Sequence, residues 1–145
     1  MNNAADTITP PSGTKTNKLI FHISTGLLTL MYLGGSTRYF VEYQAMSDIF
    51  VGLGFPRWLH PVLGVTKIFA VVGLLAINLN STVVPRWLKE WTFAGIFFNA
   101  SLALLAHQMV QEPLVLSVPA VMVTTLVLIS RVFYAKVCND EGASR

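Results

Sequence analysis

Charged side chains are scarce in this chain. Asp, Glu, Lys and Arg make up 12% of its 145 residues, roughly half the share of an ordinary soluble domain. Apolar residues make up 53%, so a water-soluble fold of this size would lack the polar side chains to cover itself. There is one cysteine, Cys138, which excludes a disulfide, a thiolate zinc site and a paired-thiol redox centre within one chain. Cys138 is read as an incidental thiol on the cytosolic side. The formal charge is +3, and the basic residues flank apolar runs without forming a stripe, which argues against nucleic acid as a partner. Flavin, iron–sulfur and Rossmann motifs are all missing, so any redox role needs electrons from a partner subunit. The first apolar run has no small-residue cleavage site nearby, and the polar residues 1–18 are expected to form a disordered tail rather than a signal peptide.

What the chain does have is four apolar stretches, each long enough to cross a hydrocarbon core, which takes about 20 helical residues. They run from Leu19 to Val41, Trp58 to Asn78, Trp91 to Val110 and Pro113 to Val137. The bilayer offers backbone groups no partner outside a helix or a closed barrel, and these runs lack strand alternation. The expected fold is therefore all-α, a four-helix transmembrane bundle over 19–137 with a capping loop between helices 1 and 2. Residues 138–145 are expected to be a cytoplasmic tail. The loop from Glu42 to Arg57, with its FVGLGFPRW stretch, supplies the cap. Lys15, Lys18, Arg86, Lys89, Arg131, Lys136 and Arg145 fall on one side and only Arg38 and Arg57 on the other, so both termini are expected in the cytoplasm.

Polar residues recur at helical spacing within each span. In the first they are His22, Thr25, Thr29, Tyr32 and Ser36; in the second His60, Gly64 and Lys67; in the third Gly95, Asn99 and Ala103; in the fourth Ser117, Thr124 and Arg131. Small and hydroxyl residues let membrane helices approach closely and need no further explanation. Lys67 does, because an ammonium at mid-span costs about 2.5–3.5 kcal/mol on insertion scales and calls for a partner or a wet cavity. Counting from the span ends places Lys67, Thr29, Asn99 and Thr124 in one layer, with no acidic residue at that depth. The candidate ligand-binding set is these four with His107, Arg38 and His60, and Lys67 and His107 are expected to share one cavity. Arg38, Glu42, His60 and His107 form a second constellation nearer the outer face. Two histidines at one level are compatible with haem or metal ligation, but no supporting spacing accompanies them, and no metal site is assigned.

The segment FVGLGFPRWLHPVLGVTKIFAVVGLLAINLN, followed by PRWLKEWTFAGIFFNASLALLAHQ, resembles the DoxX-like family of small bacterial membrane proteins. The motifs are Leu53, Gly54 and Pro56 before the second span; Leu63, Gly64, Val65 and Lys67 entering it; Leu88 to Trp91 with Ala94 and Gly95 at the third; and His107 near its end. In the LGGSTRY segment Arg38 stands where a basic residue is common. Many relatives carry a Gly-containing turn after the third-span histidine, whereas this chain has His-Gln-Met-Val-Gln-Glu-Pro. The resemblance implies a four-helix bundle in the bacterial cytoplasmic (inner) membrane, and relatives are associated with quinone-linked sulfur oxidation. Two functions follow as expectations. One is a protein that binds a lipid-like or quinone-like molecule within the bundle, or acts as an accessory subunit beside a membrane or redox partner. The other is a membrane enzyme, either a quinone-linked oxidoreductase component or an isomerase or cyclase on an apolar substrate, using Lys67, Asn99 and His107. Transport has little support, since inverted repeats and broken helices are lacking. Oligomeric state is not encoded in any motif.

Overall fold

The computed structural model describes residues 12–79 and 83–143. Its elements are α1 (Ser12–Val41), α2 (Tyr43–Gly52), α3 (Leu59–Asn78), α4 (Arg86–Met109) and α5 (Leu114–Ala143). The four long helices form an antiparallel ring in which α1 packs on α3 and α5, and α4 closes the ring against the same two; among the described residues the backbones of the diagonal pairs stay apart. Leu28, Leu74, Ile96 and Val127, one from each long helix, meet in the solvent-free centre. Large apolar side chains also point outward, among them Ile23, Leu30, Phe69, Val72, Phe98 and Leu102, each at least 60% exposed. Such a continuous apolar exterior belongs against lipid.

Three helices, α1, α3 and α5, are long and apolar enough to cross a membrane. The sequence predicted four. By composition α4 falls short, because Lys89 and Glu90 at one end and His107 and Gln108 at the other confine its apolar stretch.

Two boundaries differ from expectation for one reason. α1 starts at Ser12 rather than near Leu19, and α5 continues to Ala143 rather than ending at Val137. The ends support each other: Asn17 Nδ2 donates to Asp140 Oδ2 at 3.2 Å, and deeper in, Ser130 Oγ donates to Ser24 Oγ at 3.0 Å in a buried contact. Of the expected disordered tail, residues 12–18 are helical, and residues 1–11 lie outside the described residues. Cys138 sits half-buried on α5 against the core.

The capping loop is largely a helix. In α2, Met46, Ser47 and Phe50 lie on one buried face, the i, i+1, i+4 pattern of an amphipathic turn-and-a-half laid over the bundle end. It stops where Gly54 takes a left-handed φ of 85°, a conformation glycine adopts without steric cost. Gln111, in the α4–α5 turn, also has a positive φ of 56°. For a residue with a Cβ this left-handed conformation carries a steric cost.

Candidate functional site

Lys67 faces α1. The reason lies one turn earlier, where Gly64 brings the helices together: a Cβ there would stand 3.0 Å from Tyr39 Cβ and from Phe40 Cζ. That close approach aims Lys67 at an aromatic cradle on α1 made by Tyr32, Gly35 and Tyr39. Its Nζ lies 4.4 Å from the Tyr39 ring centroid and 5.7 Å from that of Tyr32. Gly35 leaves the room between them, since a Cβ there would sit 3.6 Å from Nζ.

Two ring faces stabilise a desolvated ammonium by about 0.5–2 kcal/mol apiece, and Tyr32 is near the 6 Å limit of the effect. Against a cost of about 2.5–3.5 kcal/mol the charge is only partly compensated. Among the described residues Lys67 has neither an ion pair nor a hydrogen bond. The carboxylates of Glu90 and Glu42 are occupied elsewhere. Glu90 is paired with Arg131 on α5. Glu42 accepts from Arg38 Nη2 at 2.8 Å, and that hydrogen bond holds its carboxyl below the usual carboxylate range.

Lys67 opens into a groove of about 270 Å³ between α3 and α4. Thr66, Lys67, Phe69 and Ala70 form one wall, Leu88, Trp91, Thr92, Gly95, Ile96 and Asn99 the other, and Tyr32 the floor. The groove opens sideways: Phe69 and Trp91 at its rim are 71% and 72% exposed. Below it the two helices touch closely, for a Cβ on Gly73 would fall 2.6 Å from Thr92 Oγ1.

The free donors of the groove are the Lys67 ammonium and the Asn99 amide, while its hydroxyl protons are committed to the protein. Thr66 and Thr92 give their hydroxyl protons to Leu63 O and Leu88 O on their own helices. Tyr32 Oη donates to Asn99 Oδ1 at 3.3 Å and to Ile96 O at 3.4 Å, both long. The Asn99 amide N–H groups and the Lys67 ammonium make no hydrogen bond among the described residues.

Of the sequence candidates, Lys67 and Asn99 come together here and the others do not. His107 does not share the cavity. It lies eight residues beyond Asn99, turned about 80° around α4, and pairs through Nδ1 with Glu112 in the α4–α5 turn. Thr124 is on α5, diagonal to α3, and donates to Ala120 O. Thr29 is buried on α1 and donates to Thr25 O. Arg38 lies at the exposed C-terminal end of α1 with Glu42. His60 and His107 do not converge either: His60 is fully buried among Tyr39, Tyr43 and Phe50. Its Nδ1 is 2.9 Å from Arg57 O, so Nδ1 carries the proton, and Nε2 is buried without a partner among the described residues.

Sequence reasoning placed Tyr32 on the polar stripe without assigning it to the site, and it passed over Gly35, Tyr39 and Trp91. The available signal was the spacing Tyr32, Gly35, Tyr39, an i, i+3, i+7 face with a gap in its middle.

The sequence profile of the DoxX-like family matches residues 23–130. The chain belongs to the DoxX-like family. The matched range holds the Lys67 cradle, both walls of the groove, α2 and most of α5, so this membrane protein carries its candidate site wholly within the family's own segment. No curated protein and no solved structure matches the chain.

Proposed function

We propose that this DoxX-like protein crosses the bacterial cytoplasmic membrane four times and binds a lipid-like or quinone-like molecule in the α3–α4 groove, as a binding or accessory subunit beside a membrane partner. The observation that carries this reading is the laterally open, largely apolar groove in which the Asn99 amide and a lysine with no counter-ion among the described residues present free N–H groups. A molecule with an apolar body and acceptor oxygens complements it in both respects. The enzyme alternative draws less support, because His107 stands apart from Lys67 and Asn99 and is engaged with Glu112.

The fourth crossing is supported by packing. With 24 residues, α4 is about 36 Å long, and it is held between two apolar helices at the same depth. Trp87 and Trp91 stack edge-to-face with centroids 6.1 Å apart at its inner end, where indoles favour the interface. With both termini cytoplasmic, a cysteine at Asp48 is labelled from outside by an impermeant maleimide in a Cys138→Ser background, and one at Val83 is not. Labelling at Val83 alone would reverse the assignment.

The binding reading is tested with Lys67→Met, which keeps the apolar stem and removes the charge. The variant is expected to insert and fold, with unliganded stability equal to or above that of the wild type, since an unpaired charge is gone. Quinones, fatty acids or native lipid extract should raise the unfolding temperature of the wild type and not of the variant. Equal shifts in the two proteins would eliminate the groove as the site.

A further inference from the structure

We infer that the ligand of the α3–α4 groove is a single-chain carboxylic acid, held as the carboxylate against Lys67 with its alkyl chain lying along the groove toward Trp91 and Leu88. This rests on the groove being the binding site, and it narrows the broader choice between lipid-like and quinone-like molecules to one chemistry.

Charge decides the head group. Every acidic side chain with described surroundings is already engaged: Glu42 with Arg38, Asp48 with Arg57 and Gln44, Glu90 with Arg131, Glu112 with His107, and Asp140 with Asn17. The anion that Lys67 lacks therefore comes from outside the described fold. A neutral carbonyl compound would accept the free N–H groups of Lys67 and Asn99 but leave the charge uncompensated. A carboxylate accepts only, through two oxygens, and so matches the free N–H groups of Lys67 and Asn99.

Depth decides between carboxylate and phosphate. Lys67 is the ninth residue of the 20-residue α3, about 12 Å from its start and about 17 Å from its end. A phosphodiester stays charged and remains at the interface, because carrying a bare charge into hydrocarbon is prohibitive. A carboxylic acid is a weak acid that crosses as the neutral molecule. At Lys67 its O–H proton passes to the neutral amine: the O–H bond breaks, its electron pair stays on oxygen, the amine nitrogen takes the proton, and a carboxylate–ammonium pair of zero net charge results.

Shape decides the number of chains. The α4 wall runs from Asn99 to Leu88, about 16 Å along the helix, and the space of about 270 Å³ suits one alkyl chain rather than two. The polar groups sit at its mid-membrane end and apolar side chains at the other, so the chain points toward the cytoplasmic interface.

The test uses the full-length protein in nanodiscs of zwitterionic lipid with myristic acid, methyl myristate and decylubiquinone, reading thermal unfolding and, with carboxyl-¹³C myristic acid, the infrared carboxyl bands. Myristic acid is expected to stabilise the wild type and to show a protein-dependent carboxylate band, while the methyl ester has little effect. Lys67→Met should weaken acid binding by about tenfold or more, the loss expected when a charge-assisted contact goes, and Lys67→Arg should retain most of it. Equal stabilisation by acid and ester, or Lys67-dependent binding of decylubiquinone with none of the acid, would overturn the carboxylate assignment and leave the groove as the site. Stabilisation by none of the three would overturn both. Because the acid–ester comparison is made on the wild type, the outcome does not depend on a variant that folds.

Discussion

Replacing Gly73 with alanine is expected to destabilise the bundle by about 1–3 kcal/mol, the range for overpacking a filled contact. The new methyl group would meet Thr92 Oγ1 at 2.6 Å and Thr92 Cγ2 at 2.8 Å. Rotation of Thr92 cannot clear both, because a β-branched side chain always presents two heavy atoms from Cβ. The helices must then part just below the groove. The companion Thr92→Ala removes both offending atoms and leaves only its Cβ, 3.3 Å from the added group. The double variant should recover most of the loss, giving a coupling energy of about 1 kcal/mol or more. Denaturation of the purified protein in mixed micelles measures all four corners of this cycle. A Gly73→Ala protein as stable as the wild type would mean that α3 and α4 are not in contact at this level.

The second large effect concerns the pair that joins α4 to α5. Arg131→Met leaves the Glu90 carboxylate without its partner near the start of α4, and a loss of about 1–3 kcal/mol is expected. The range of about 3–5 kcal/mol for a fully buried pair is discounted because the two side chains are 38% and 29% exposed. Glu90→Gln alone should cost less, since a freed arginine can extend its long stem toward the interface. Removing both charges, as Arg131→Met with Glu90→Gln, should return stability to near the wild-type value. If the double variant is as unstable as the worse single one, the pair is not the source of the effect and packing along α5 is.

How much of this was readable in the chain follows from what a bilayer enforces. Helices spaced along apolar runs, and Lys67 as an anomaly among them, are consequences of solvation alone and need no knowledge of neighbours. Depth is equally legible, since it is a count of residues, and it correctly paired Lys67 with Asn99. Azimuth and helix order are not legible. Thr124 matches Lys67 in depth but lies across the ring, and His107 is turned toward Glu112; both depend on which helices touch, and no single-span pattern carries that. α2 was missed because Gly54 and Pro56 dominate the reading of its segment, although the breakers stand after the helix, not within it. The charges at the ends of α4 blur it as a span in composition, while its position between α3 and α5 comes only from packing. Tyr32 and Tyr39 look like ordinary helix aromatics until the gap at Gly35 is seen to be filled by an ammonium.

The sideways opening of the groove sets the quantity against which any occupant must be measured. A molecule entering between Phe69 and Trp91 arrives from the acyl phase, so occupancy follows its mole fraction in the surrounding lipid, not its concentration in water. Adding lipid at fixed ligand then dilutes the ligand and lowers occupancy, whereas adding buffer does nothing. Detergent tails occupy the same phase and compete on equal terms, so an apparent affinity measured in micelles will fall as detergent is raised.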